Sequence, residues 1–293
     1  MDYASHSPHM EALCSDLRWE LEGILPRHGS TVFYSSVTGT VRLIEESSPE
    51  LALTGEWSGL RWPLVDAAAV ESAYGAFSVA GTLPYAFDVR AAASAPQLPA
   101  VDFTAAGSVD REQVVLDRFD GQLMGGRLQG SGRLSWTGEQ RWNARLEGQR
   151  LDIATLRPDL PGRVTFAGTV EGRGFTPAAP WTVRLASLSG TVRGRALTGR
   201  GEVAHRNGTY DLRRVRIATG SSHVDVDGRW GPSIDLRWTA DIRQLSLLHP
   251  DLEGELVSSG RARGSPTRPE ASGDLRVKKL RFGVVGVEAA QAA

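Results

Sequence analysis

Apolar and polar residues alternate along much of this chain. In "SIDLRWTADIR", Ile234, Leu236, Trp238, Ala240 and Ile242 share one parity, and Asp235, Arg237, Thr239, Asp241 and Arg243 share the other. Strand side chains point to opposite faces with a period of two, so the pattern predicts a strand with one apolar and one charged face. "HVDVDGRW" repeats it: Val224, Val226, Gly228 and Trp230 oppose His223, Asp225, Asp227 and Arg229. A helix would scatter these charges around its circumference. Turn formers separate the runs. "AHRNGTYDL" sets Asn207-Gly208 between two alternating segments, and Asn-Gly supplies the positive φ angles of a type I′ hairpin turn. Gly231-Pro232 in "RWGPSIDL" is a second breaker, and similar punctuation stands in "TLPYAF", "APQLPAV", "SWTGEQRW" and "GRALTGRG". Strand starts recur every ~10–16 residues, the spacing of short antiparallel strands joined by turns.

The repeat is geometric rather than literal. "EGRGFTPAAPWTVRLASLSG" (Glu171 to Gly190) and "RARGSPTRPEASGDLRVKKLRFG" (Arg261 to Gly283) share a plan of Arg-Gly, proline-marked turn, alternating run and closing Gly, but few letters. Parity is what must be kept, because a one-residue slip turns every apolar side chain to the other face. Helical features are confined to Glu11–Leu25 and Val65–Tyr74, and the second fits a loop between strands equally well. The expectation is an all-β fold: a long antiparallel sheet curled into an open U-shaped trough, over residues 16–293, after a disordered or non-native start at residues 1–15. Roughly 15–20 strands at ~4.8 Å spacing would give a groove about 70–95 Å long.

Composition adds limits. The chain has 293 residues with a net charge of −1, which argues against a nucleic-acid partner. Its 33 glycines fit many turns. Cys14 is the only cysteine, so no intrachain disulfide can form. "MDYASHSPHMEALCS" lacks the basic start and apolar core of a secretory signal, and no stretch is long and apolar enough for a membrane-spanning helix. Both ends read as truncation points of a longer protein.

Candidate chemistry is sparse. His6, His9, His28, His205, His223 and His249 make no metal-binding spacing beyond His6 and His9, so no metal is expected. "DVDG" (Asp225 to Gly228) lacks the later ligands of a calcium loop and reads as a strand's polar face followed by a turn. "GGRLQGSG" (Gly125 to Gly132) lacks the Lys-Ser or Lys-Thr of a phosphate loop; tight turns and close strand approaches explain its glycines. No nucleophile elbow or zinc-protease motif is present. The expectation is no enzyme and no cofactor. "DLRRVRI" reads as a solvated sheet face, and the eight tryptophans, spread over many strands, as core fillers.

In serial order, "GEWSGLRWPL", "GAFSVAGTLPYAFDVRAAA", "LDRFDGQLMGGRLQGSGRLSWTGEQRWNARLEGQRLDIATLRPDLPGRV", "SLSGTVRGRALTGRGEV" and "DLRWTADIRQLSLLHPDLEGEL" resemble the TamB family of Gram-negative bacteria, part of the AsmA-like group of bridge-like lipid-transfer proteins. The resemblance runs from about Asp16 onward. It implies a periplasmic protein anchored in the inner membrane, a β-taco with an apolar interior, transport of phospholipid to the outer membrane, and support of autotransporter assembly with the outer-membrane barrel TamA. The anchor and the domain that meets TamA are expected to lie outside these residues. On this reading the groove that holds phospholipid acyl chains is lined by Val183, Leu185, Val203, Leu212, Val224, Val226, Trp230, Ile234, Leu236, Trp238, Ile242, Leu275 and Val277. Two other architectures compete. One is a structural β-repeat scaffold, solenoid or adhesin-like, with a dry core and no lipid. The other is a transmembrane barrel, disfavoured by short runs and a heavily charged second parity.

Overall fold

The computed structural model describes residues 34–43, 49–62, 70–96, 98–174, 176, 178–247, 251–282 and 285–292. They form one 17-stranded sheet. The strands are β1 (Tyr34–Leu43), β2 (Pro49–Trp62), β3 (Val70–Gly81), β4 (Tyr85–Ala95), β5 (Leu98–Val109), β6 (Gln113–Leu123), β7 (Gly126–Ser135), β8 (Arg141–Asp152) and β9 (Gly162–Arg173). They continue as β10 (Trp181–Val192), β11 (Arg195–Arg206), β12 (Thr209–Thr219), β13 (Ser222–Trp230), β14 (Ile234–Ile242), β15 (Leu252–Ser265), β16 (Arg268–Phe282) and β17 (Val285–Ala292). Each pairs antiparallel with the next in sequence, so the sheet is a meander from β1 to β17. The ladder does not close: it is an open, curled trough about 75 Å along its stacking direction at the usual strand spacing.

Turns alternate between two margins. The first margin carries the turns that follow odd-numbered strands, including Asn207-Gly208, where φ is 50° and 72° and the expected type I′ hairpin forms. The second margin carries the turns after even-numbered strands, including two 3-10 turns, Ile153–Thr155 and Leu245–Leu247.

Two expectations need correction. Val70–Tyr74, where the sequence admits a helix, opens β3 instead; residues 65–69 and the helical features of Glu11–Leu25 lie outside the described residues. Pairing overrides the local preference there, because Ser72 lies opposite Leu60 and its hydroxyl accepts the Trp57 indole N–H at 2.9 Å. Strands are also longer than the unbroken alternations, at 8 to 15 residues. Length therefore does not separate this sheet from a transmembrane barrel; the open ladder does.

The reason for the longer strands is a recurrent β-bulge. In β6, β8, β10 and β12 a three-residue step faces a two-residue step on the neighbour: Leu116 to Phe119, Gly148 to Leu151, Leu185 to Leu188 and Leu212 to Val215. β16 repeats it from Lys278 to Arg281, opposite Glu255 and Glu253 of β15. The intervening pairs Asp117-Arg118, Gln149-Arg150, Ala186-Ser187 and Arg213-Arg214 are all exposed, as is Lys279 in β16. Arg150, Arg214 and Lys279 take up the extra residue with φ of 55°, 49° and 51°. Each bulge resets parity, so the apolar set stays on one face. An added residue on the outer face also bends the strand, which curls the apolar face inward.

Glycine has a second use beyond turns. Trp57 lies over Gly75, Phe77 over Gly55, Trp142 over Gly172, Phe166 over Gly148 and Trp238 over Gly260, each ring occupying the space a Cβ would need. These are directly opposed pairs on neighbouring strands. The "GGRLQGSG" stretch resolves as expected, with Gly125 in a turn at φ 66° and Gly126 and Gly132 at close strand approaches.

Candidate functional site

The continuous apolar face is the one extended feature that the fold builds. Register carries a single row across it: Val170, Val183, Val203, Leu212, Gly228, Leu236, Ala262 and Ala271 stand opposite one another in turn from β9 to β16. Neighbouring rows hold Leu185 beside Val183, Val226 opposite Trp238, and Val224 opposite Ala240 and then, through Ser258, Leu275. Ile242 stands opposite Leu256 and then Val277, while Trp230 and Ile234 end β13 and begin β14. Every lining residue predicted from the sequence thus falls on one face.

That face has no second layer among the described residues. Ile234 and Ile242, at the two ends of β14, are buried at 3% and 8% exposure, but the middle of the face is open. Val183, Ile217, Trp230 and Leu275 remain 39–49% exposed although they sit on the apolar parity. Sequence reasoning missed the face's first half, including Phe77, Phe87, Phe103, Phe119 and Phe166. Its signal was the aromatic–glycine pairing and the apolar–polar–polar–apolar step, both of which read as broken alternation. A hollow of about 330 Å³ on this half is lined by Val114, Leu116, Gly132, Leu134, Trp142 and Ala144 with the flanks of Arg133 and Asn143.

Two indole donors on the face have acceptors within it. Trp57 and Trp238, set within it, donate their indole N–H to Ser72 and Ser258 at 2.9 and 3.0 Å. Ser72 is itself buried. These serines break the apolar pattern for a physical reason: a buried N–H left without an acceptor costs about 1–3 kcal/mol.

The opposite face carries cross-strand charge pairs. Glu202 of β11 lies between Arg184 of β10 and Arg213 of β12, at 2.8 and 3.2 Å. The hydrogen bond from Arg184, with help from Arg213, holds its carboxyl below the usual range. Arg261 pairs with Asp235 at 2.8 Å, and Arg216 with Asp225 at 3.2 Å. Asp225 and Asp227 of the "DVDG" stretch therefore sit on the charged face as expected. Gly228 does not begin a turn but stays in β13 opposite Leu236. The Asp227 carboxylate caps the bulge by accepting the Arg214 N–H at 3.0 Å. A polar hollow of about 720 Å³ lies on this outer face, lined by Thr54, Glu56, Ser78, Asp88, Arg90, Thr104 and Arg118 among others.

No helix among the described residues is long and apolar enough to cross a membrane. No curated protein and no solved structure matches the chain. The sequence profile described as TamB, N-terminal domain, matches residues 31–293, most of the chain and the whole of the sheet. A meander of bulged strands with one unbroken apolar face is thus this family's N-terminal domain, and the chain belongs to the TamB family.

Proposed function

We propose that this sheet is a segment of a periplasmic conduit whose hydrophobic groove carries phospholipid between the inner and outer membranes. Family membership gives the coarser statement, a role in the translocation and assembly module. The finer one rests on a single observation: an apolar face running from β2 to β16 with no protein layer over its middle among the described residues. An uncovered apolar surface of that extent needs an occupant. Acyl chains fit a face whose large rings are seated over glycines of the neighbouring strands. We further assign to the full protein an inner-membrane anchor, a TamA-like outer-membrane barrel as partner, and support of autotransporter assembly. The chemistry proposed for this segment is containment of apolar chains, with no catalytic step.

The test is site-specific photo-crosslinking. A crosslinker at Leu236, on the apolar face, should capture phospholipid from the purified protein, and one at the neighbouring Arg237, on the charged face, should not. Equal labelling at both positions, or no labelling at either in folded protein, removes the basis for a lipid conduit and favours a dry scaffold.

A further inference from the structure

We propose that phospholipid lies across this face in one orientation, with its headgroup and ester region over the first margin at Trp181, Tyr210 and Trp230 and its acyl ends directed to the second margin. The inference rests on the lipid reading above and adds a polarity to it. The two margins differ in chemistry. Between β8 and β15 the second margin is aliphatic and packed: Leu151, Val164, Ile242 and Leu245 are 3–9% exposed there, and the turn at Leu245–Leu247 packs on β15. The first carries rings. Trp181 begins β10, Tyr210 lies at the start of β12, and Trp230 ends β13. Trp181 and Tyr210 both contact the buried His205, at centroid distances of 5.7 and 5.0 Å. Tyr210 stands opposite Trp230 across the strands. Tyr210 and Trp230 are nonetheless 40% and 48% exposed.

The polar atoms of these rings complete the contrast. Within the face, the Trp57 and Trp238 indoles donate to serines of the protein. Nearer the first margin, Trp136 and Trp142 donate outward to the carbonyls of Arg111 and Gly174, at 2.8 and 3.0 Å. The indole N–H groups of Trp181 and Trp230 and the Tyr210 hydroxyl have no acceptor among the described residues. Amphipathic rings with an apolar body and a free donor suit the boundary between hydrocarbon and water, where ester carbonyls and phosphate oxygens accept. A cation stands at the same margin on the other parity. Exposed Arg206 forms no ion pair among the described residues, and it lines a hollow of about 470 Å³ over the rim with Trp142, Trp181, Arg173 and Glu171. A guanidinium matches a phosphate geometrically as well as in charge.

The experiment uses the purified chain loaded with palmitoyl-oleoyl phosphatidylethanolamine. p-Benzoylphenylalanine is introduced singly at Tyr210 and Trp230, at Leu256 and Val277 on the second margin, and at Leu236 between them; circular dichroism confirms folding of each. Fragmentation of the lipid adducts locates each linkage along the lipid. The expected result is linkage to the glycerol or first acyl carbons at Tyr210 and Trp230, and to the distal acyl half at Leu256 and Val277, with at least threefold enrichment in each case. Tyr210→Phe keeps the ring and removes one donor, and should lower retained lipid by roughly fivefold, the worth of one hydrogen bond. The same linkage profile at both margins, or the reverse profile, overturns the orientation while leaving the conduit standing. Adducts at Leu236 without any at the margins also overturn it. Absence of adducts at all five positions overturns the conduit and the orientation together.

Discussion

Deleting Arg214 should be far more damaging than replacing it. Arg214 is the left-handed residue of the β12 bulge, at φ 49°; its main-chain N–H donates to the Asp227 carboxylate at 3.0 Å, and its side chain has no partner among the described residues. Arg214→Gly keeps the residue count and that N–H, and relieves a conformation that costs an L-residue roughly 1 kcal/mol, so stability should hold or rise slightly. Deletion leaves a two-residue step between Leu212 and Val215 where the fold uses three. One half of β12 must then flip. Turning Val215 and Ile217 outward exposes two half-buried side chains at about 1 kcal/mol each, half the value for full burial. It also carries Arg216 onto the apolar face and away from Asp225, its partner at 3.2 Å. The sum is roughly 2–4 kcal/mol, with the exposed ion pair contributing little. Long meanders need not unfold in one step, so the readout is hydrogen exchange of β11, β12 and β13 with the urea midpoint as a global check. A deletion variant within about 0.5 kcal/mol of the parent, or an Arg214→Gly variant as unstable as the deletion, would refute the assignment of parity control to the bulge.

Other perturbations separate the two faces. Asn207→Pro should cost on the order of a few kcal/mol, because proline cannot adopt the φ of 50° found there; an unchanged melting temperature would count against the turn's importance. Leu236→Arg should leave folding intact by letting the guanidinium reach the open side while lipid retention falls, whereas in a dry core it would unfold the sheet by several kcal/mol; Arg237→Glu should matter little, and urea titration beside lipid extraction reads both. Glu202, its carboxyl held low by Arg184 and Arg213, contributes stability that is fully present above its ordinary value of 4.5 and is lost as pH falls through the depressed folded value. Glu202→Gln should flatten that acid limb in urea midpoints measured across pH, and an unaltered limb would show the pair to be inert.

What the sequence disclosed depended on whether a signal was local. Ile234–Ile242 alternates without a break, so β14 and its two faces were legible, as was the Asn207-Gly208 hairpin, whose backbone requirement is written in two letters. The bulges were not. Leu212-Arg-Arg-Val215 and Leu116-Asp-Arg-Phe119 read as lost parity, because the extra residue has meaning only against a two-residue step on another strand. The glycines were assigned to turns for the same reason: that Gly75 serves Trp57, or Gly260 serves Trp238, depends on cross-strand register. At Val70–Tyr74 the local pattern pointed the wrong way, and the partner that decided it, Trp57, lies on the preceding strand. The predicted lining residues fell on one face because seven of the thirteen came from β13 and β14, which pair without a register shift. The aromatic half of the face, between β3 and β9, is where bulges and glycines hide the period.

These long-range devices also bear on what covers the face. A second protein layer would call for interdigitation, since cores reach their density by fitting knobs into gaps. Here the largest side chains do the opposite, with Trp57, Phe77, Phe166 and Trp238 laid down over glycines. Rings seated over glycines stand lower than rings seated over side chains, which weakens the grip on a rigid partner and suits one that can change shape. The serine acceptors point the same way. Ser72 and Ser258 satisfy two indole donors within the face, as is needed where the cover brings no acceptor of its own. Near the first margin the donors either reach turn carbonyls or stay open. A face self-sufficient in hydrogen bonds at its centre and unsatisfied along one edge favours a fluid hydrocarbon cover with a polar end, and a dry protein core would have no use for that gradient.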